Sequence, residues 1–431
     1  MANNIFKSSL SLRMYRALDS EDTPISGAAI STGALRHAYM DTLRDTPTAD
    51  YVYGFCSPMD MTVSELAGDH GHNFGEDVAV GYRISRKKVD PVALRQALKA
   101  RTIDHVATWN ATHPDNQIEI GKLTKQTKAS LVDACVTDLL PTTNWREKMC
   151  GVFYLAEYGL LLISGATEKE ADKIALCLQQ CTEDATRFRD IGVLELPTAF
   201  GIQKAGELDA MLDTFAQNNA SYGRVLSDAM RHLWFLGETL TGTIASGLET
   251  DSHNYTFQKH GGHEIFDVGM SEDTVICGEF LDEKIIGETV CSKGSDHAPV
   301  RYAMWKHDAP LVSCSLYLSN DMQTLPNVGM SALKLNVVTL RNVTTKVKDN
   351  ATDEQLEASV ILYMDRVSTA LHMVATVIDI FLTARSSEGR WADTRKSERE
   401  WLEAYAPPCE AALERIPANT TITTAPAVDA G

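Results

Sequence analysis

The sequence predicts a chain of several domains in which α-helices are mixed with small β-sheets. Three observations carry this expectation. The chain has 431 residues, 44% of them apolar and 23% charged, which is the balance of a folded globular protein. Short β-type runs recur and end in hairpin-like turns. Between them lie helical patterns with recognisable start and stop residues.

Residues 4–16 read as a strand or strand pair, with Phe6, Leu10, Leu12 and Met14 as its apolar positions. Residues 33–47 read as a helix and 50–65 as a turn-rich stretch. The run 78–84 is β-type. Asp90-Pro91 then opens a helix, because Asp caps and Pro suits the first helical position. His113-Pro114-Asp115-Asn116 breaks the pattern. A helix over 125–140 is stopped by Pro141. The runs 152–155 and 160–163 form a hairpin through Ala156-Glu157-Tyr158-Gly159, and a helix follows over 168–186.

Residues 204–247 read as mostly helical and 248–275 as a polar loop or insertion. The stretches 276–290 and 311–341 are β-rich, and Leu333, Leu335 and Val337 alternate with Lys334 and Asn336. The strongest single pattern comes near the end. Val360, Met364, Val367, Leu371, Val374, Ile378 and Phe381 place one apolar stripe on a long helix. A core helix and a dimer seam both account for it, and the dimer seam is the sharper reading. The sequence after 406 is rich in Pro, Thr and Ala and reads as a mobile tail.

The chain carries 40 Lys+Arg against 58 Asp+Glu, a net charge of −18. This excludes a surface coated in basic charge but leaves room for a local basic groove. Nine cysteines with no Cys-x-x-Cys pair read as reduced, small apolar residues, with Cys177 and Cys181 on one helix face. The opening residues lack a signal-peptide core, and no uninterrupted apolar run reaches membrane length, so the expectation is cytoplasmic with no membrane contact.

No phosphate loop, dinucleotide fingerprint, nucleophile elbow or zincin motif is found. Two clusters hold metal-ligand residue types: Asp69, His70 and His72 with Glu76 and Asp77, and His253, His260 and His263 with Glu264 and Asp267. Their spacings match no standard site, and solvated loops account for them more simply. No metal and no cofactor is therefore expected.

Charge distribution is more informative. From 83 to 128 ten basic residues occur: Arg83, Arg86, Lys87, Lys88, Arg95, Lys99, Arg101, Lys122, Lys125 and Lys128. Only Asp90, Asp104, Asp115 and Glu119 oppose them, so this segment carries +6 and the remainder −24. A phosphate-binding track has this character, because neutralised phosphates release counterions. A solvated helix face has it as well.

On these residues the chain resembles the RdgC family of recombination-associated DNA-binding proteins. The resemblance is carried by Phe6-Lys7, Tyr15-Arg16 and the turn Gly54-Phe55-Cys56-Ser57-Pro58. It continues from Val78 through Arg83 and Lys87 to Gln96-Ala97-Leu98. Lys122-Leu123, Lys125, Lys128, Ser130-Leu131, Asp133 and Leu139-Leu140-Pro141 follow, and then Gly159-Leu160, Ala166, Lys169 and Ala171. The match is clear over about 5–185 and weaker over 276–385, where Lys293-Gly294-Ser295-Asp296 is similar to the family's later finger segment.

The resemblance implies an α+β fold, a multi-domain chain with small sheets packed by helices, forming a ring-shaped homodimer around duplex DNA. It implies a non-catalytic protein that binds double-stranded DNA without sequence preference and restrains RecA-type recombinases at the nucleoid. The implied division is an N-terminal region over 1–190 with the basic track, a divergent region over 191–275, a finger-like region with the long helix over 276–405, and a tail over 406–431. DNA contacts would come from Arg83, Arg86, Lys87, Lys88, Lys122, Lys125, Lys128, Arg146 and Lys293. Dimer contacts would come from Asn144, Trp145, Val367, Leu371 and Val374. Thr142 and Asn144 stand where the family pattern has a basic residue and a ring-closing phenylalanine. Asn144 is therefore expected to be at least partly exposed or hydrogen-bonded, with Trp145 or another apolar residue making the contact across the dimer. Two alternatives use the same residues differently: a metal-dependent exonuclease working through a His/acid cluster, and an acidic protein-interaction factor that has lost DNA binding.

Overall fold

The computed structural model describes residues 5–413 except 28, 31–34, 36–48, 64–71, 75, 183–184, 204, 218–220, 239–253, 260–261, 282–283, 295–296, 321–322 and 344–352. The first half runs β1 (Ser9–Leu18), β2 (Tyr51–Cys56), β3 (His72–Phe74), β4 (Asp77–Lys87), α1 (Pro91–Thr112), α2 (Lys125–Leu139), β5 (Trp145–Leu155), β6 (Leu160–Ser164) and α3 (Glu168–Cys181). There follow β7 (Arg187–Asp190), α4 (Leu196–Ala199), α5 (Ala205–Gln217), α6 (Tyr222–Glu238), β8 (Asn254–Lys259), β9 (Gly262–Met270), β10 (Val275–Leu281) and β11 (Lys284–Ser292). The last part is α7 (Ala298–His307), β12 (Leu311–Asn320), β13 (Gln323–Thr324), β14 (Asn327–Ser331), β15 (Val337–Arg341), α8 (Asp353–Ser386) and α9 (Glu388–Leu413).

The chain forms two compact units that interleave in sequence. One comprises residues 1–5, 30–153 and 165–185, the other 6–29, 154–164 and 186–431. This differs from a division in chain order. The cause is β1, which pairs antiparallel with β15 (Leu10 opposite Leu340), with β6 (Met14 opposite Leu162) and with β7 (Ala17 opposite Phe188). Those ladders draw the N-terminal strand into the unit that holds the C-terminal half.

In the first unit the strand order is β2-β4-β5, with β3 on β4. β4 is buried without a break from Val78 to Ser85, so both faces of the strand are covered. Gly81 lies in that run because a Cβ there would meet Met149 Cε at 2.5 Å and the Ser57 carbonyl at 2.9 Å. α3 contributes Ala171, Ile174, Cys177, Leu178 and Cys181 to the core, and the Tyr82 hydroxyl meets Cys177 Sγ at 3.7 Å. Burial pushes the Cys56 thiol up to about 12, consistent with its reading as a small apolar residue. β2 replaces part of the turn expected over 50–65. Its aromatic and β-branched residues pair with β4, and the turn itself is confined to the residues after Cys56. The helix expected over 33–47 lies almost wholly outside the described residues.

The second unit is built on the order β11-β10-β12-β14-β15-β1-β6, with β9 on β12 and β8 on β9. The pairings β1–β15, β1–β6, β10–β11, β10–β12, β12–β14, β12–β9, β14–β15 and β8–β9 are all antiparallel. Two expectations are corrected here. Residues 248–275 contain the β8–β9 hairpin (Tyr255 opposite Phe266) where a polar loop was expected. Pairing with a neighbouring strand holds it as β structure despite its polar, Gly-containing sequence. The alternation over 333–337 is not a strand either. Ser331 accepts hydrogen bonds from Lys334 N and, through its hydroxyl, from Leu333 N, which makes a turn, and β15 starts only at Val337.

α8 is the core helix of this unit. Val360, Met364, Val367, Leu371, Val374, Ile378 and Phe381 are all buried, and the Tyr363 hydroxyl donates to the Lys7 carbonyl at 2.9 Å. The segment Glu357–Ser386 is long and apolar enough to cross a membrane, contrary to the expectation from uninterrupted runs. However, 72% of its most apolar window is buried inside the chain, which is the behaviour of a core helix. α6 packs against α8, β9 and β12 and is buried almost all round, from Val225 to Leu236. The region after 406 remains helical to Leu413; residues 414–431 lie outside the described residues.

Two outcomes follow for stability and reactivity. Leu371→Ala should cost about 3 kcal/mol, because it removes a fully buried side chain and leaves a cavity; chemical denaturation measures it. Among the described cysteines only Cys291 is exposed. Cys291→Ser should therefore remove one fast-reacting equivalent in a thiol titration of the folded protein at pH 8.

Candidate nucleic-acid interface

The helix pair α1–α2 begins where the sequence places it. Asp90 caps α1, its side chain accepting from Val92 N at 3.1 Å with Pro91 next. Thr124 caps α2, accepting from Thr127 N at 3.1 Å. The loop between them is fixed by Asn110, whose side chain accepts from Ile118 N at 2.7 Å and donates to the Ile118 carbonyl at 3.0 Å. Trp109 Nε1 also donates to the Asn116 carbonyl, and its ring stacks on His113. α1 has no buried residue over its 22 positions, and α2 buries only Leu131 and Cys135. The pair is thus a surface feature, and its cations face water.

Which cations are available to a ligand is decided by their partners. Arg83 is not available. Its side chain is 4% exposed, its Nη2 bonds Glu147 at 2.7 Å, and its Nη1 donates to the Met61 carbonyl at 3.2 Å. A buried guanidinium must be neutralised, so the expected DNA contact by Arg83 is replaced by a structural ion pair. Arg101 pairs with Asp138, and Lys122 with Glu119 at 3.4 Å on the open surface. The second of these is weak, with both side chains 74% exposed.

Arg86, Lys88, Lys125, Lys128 and Arg146 are exposed and carry no ion pair among the described residues. Lys87 is half-buried, with its ammonium 4.9 Å from the centroid of the Trp145 ring, a cation–π arrangement. This contact brings the end of β4 (Arg86, Lys87, Lys88) to the start of β5 (Trp145, Arg146). Together with Arg83–Glu147 and Gly81–Met149, it makes the two strands run in opposite directions. Asn144 is exposed and Trp145 half-buried. Lys293, exposed, belongs to the other unit.

The other dimer candidates are corrected. Val367, Leu371 and Val374 are at most 1% exposed within one chain. The stripe faces the chain's own core, so it is not open to a partner. For the metal reading, Asp69, His70, His253 and His260 lie outside the described residues, and His263, Glu264 and Asp267 are described by backbone alone on β9. Among the described residues no group of three or more His, Cys, Asp or Glu side chains is placed to hold a metal ion.

Lys148 was not singled out in the sequence, and its neighbour Glu170 explains its role. Burial raises the Glu170 carboxyl. Hydrogen bonds from Lys148 and from the Thr167 backbone and hydroxyl outweigh this and hold the carboxyl below its ordinary value. Glu170 also closes the capping box of α3 with Thr167. A lowered folded-state value means stability that is present above the unfolded value and is lost as pH falls through the folded one. Glu170→Gln should therefore cost about 1 kcal/mol near pH 7 and much less once the wild-type carboxyl is protonated. Thermal melts across that pH range check it. The chain matches no family model and no curated protein.

Proposed function

We propose that the chain is a non-catalytic protein that binds duplex DNA without sequence preference, acts as a homodimer and restrains RecA-type recombination at the nucleoid. The observation that supports it is a set of exposed, unpaired cations on α2 and at the β4–β5 end, in a chain of net charge −18. In such a chain a polyanion is repelled except where cations lack internal partners. Phosphate contacts carry no base information, so the reading is sequence-neutral. The link to recombination and the ring-shaped dimer rest on the resemblance to the RdgC family over residues 5–185. The DNA-contacting set proposed is Arg86, Lys87, Lys88, Lys122, Lys125, Lys128 and Arg146, with Lys293 in the second unit.

Within this reading Trp145 makes the contact across the dimer, because it is an aromatic residue partly open to solvent beside the exposed Asn144. Trp145→Ala is expected to weaken self-association at least tenfold, roughly what one interface aromatic contributes. Light scattering measures this, and a wild-type particle of 47.3 kDa at micromolar concentration would contradict the dimer.

The direct test is a mobility shift on two unrelated duplexes, with and without Mg²⁺ or Mn²⁺. A shift of both duplexes without cleavage is expected. Cleavage only with metal, abolished by His70→Ala or His260→Ala, would replace this reading with the exonuclease. Neither shift nor cleavage would replace it with a protein-interaction role.

A further inference from the structure

The second unit holds a separate cluster of charge. Asp228 and Arg231 of α6, Arg385 of α8, Arg395 and Glu398 of α9, and Asp308 after α7 form one network. Three guanidiniums meet three carboxylates, so its centre is balanced. Glu398, 2% exposed, holds Arg231 Nε at 3.2 Å and His232 Nδ1 at 3.0 Å. Arg231, Asp308, Arg395 and Glu398 of this network line a cleft of about 650 Å³ between α7 and α9, within the size range of small-ligand sites. Met304 and Leu402 give it buried apolar walls, and Trp305 is partly open at its side.

The rim is not balanced. Lys306, Lys396 and Arg399 line the cleft, are exposed, and carry no ion pair among the described residues. Glu400 and Glu403 stand four residues on from Lys396 and Arg399, and no ion pair joins them among the described residues, so both cations remain available to an anion in the cleft. Lys306 complements the C-terminal end of α7, but Lys396 and Arg399 sit in the interior of α9 and have no such role.

Asp308 completes the argument. It is the left-handed cap of α7, with φ +48°. Its side chain is 80% exposed, and it approaches Arg231 at 3.4 Å and Arg395 at 3.6 Å. These are long pairs compared with a close charge-assisted bond. One exposed carboxylate thus lies over two guanidiniums at the mouth of a cleft whose rim adds three more cations. A doubly charged oxyanion would meet the same two guanidiniums with more charge and more acceptors.

We propose that the α7–α9 cleft binds a small molecule carrying a phosphate or polyphosphate group, held by Lys306, Lys396 and Arg399 and competing with Asp308 for Arg231 and Arg395. The proposal stands apart from the DNA-binding reading, which uses other residues.

The test is calorimetric titration of the full chain with inorganic pyrophosphate at fixed ionic strength. Wild type is expected to bind one equivalent. Lys396→Ala/Arg399→Ala should weaken binding by roughly tenfold or more, and Asp308→Asn should tighten it by about a few-fold, since it removes the competing charge while Asn still tolerates the left-handed cap. Loss of fold cannot produce the tightening, so the second variant decides the matter if the first is destabilised. No heat with wild type, or equal affinity in wild type and Asp308→Asn, would overturn the proposal. A 20-base-pair duplex provides the other phosphate source. If it displaces pyrophosphate and its own binding is lost in the Lys396/Arg399 variant, the cleft is a nucleic-acid contact and the small-molecule proposal fails.

Discussion

In a chain this acidic, the decisive constraint is which cations are cancelled within the chain. Depth decides it. A guanidinium taken out of water must find a carboxylate, because burying an uncompensated charge costs several kcal/mol. Arg83 on β4 has Glu147, and Arg231 on α6 has Glu398, Asp228 and Asp308. Cations left over stand on elements that bury little or at the exposed ends and faces of those that bury more. α1, with no buried residue, and α2, with two, are such elements. The surface that can attract a polyanion is thus a consequence of packing as much as of composition.

The same logic governs the long apolar helix. α8 carries more apolar surface than a one-sided core contact needs, and its length and hydropathy suit a membrane or a partner. Its apolar stripe is no free surface, since Val367, Leu371, Val374 and Ile378 are fully enclosed by the chain. Each such side chain is worth about 1.5–3 kcal/mol of burial, which ties α8 to the fold of the second unit. Self-association, if driven by apolar contact, must then use residues outside that stripe, and the half-buried Trp145 of the first unit is the one proposed.

Much of the local structure was legible in the sequence. The Asp90-Pro91 start of α1, the α2 helix read over 125–140 and stopped by Pro141, the hairpin turn ending at Gly159 and the apolar stripe of α8 over Val360–Phe381 all follow from capping, proline and periodicity. Gly159 has φ +58°, and a Cβ there would fall 1.8 Å from the Ile25 carbonyl, so the turn demands glycine. What escaped the sequence depends on partners distant in the chain. β8 and β9 are polar and become strands through their ladder with each other and with β12. The stripe on α8 has the same period whether it faces a core or a second copy. Arg83 looks like its basic neighbours until Glu147, 64 residues away, is seen beside it. The α7–α9 cleft assembles residues from 231 to 402, which no local pattern connects.

The central claim is that the exposed cations at and just before the start of α2 and at the β4–β5 end hold DNA through its phosphates. It is tested most directly by the slope of log K against log salt, measured for wild type and for Lys122→Ala/Lys125→Ala/Lys128→Ala on two unrelated duplexes. The account predicts a shallower slope in the variant, by roughly one unit for each phosphate contact removed, equally on both sequences. An unchanged slope, or a wild-type preference for one duplex that greatly exceeds the other, would contradict it.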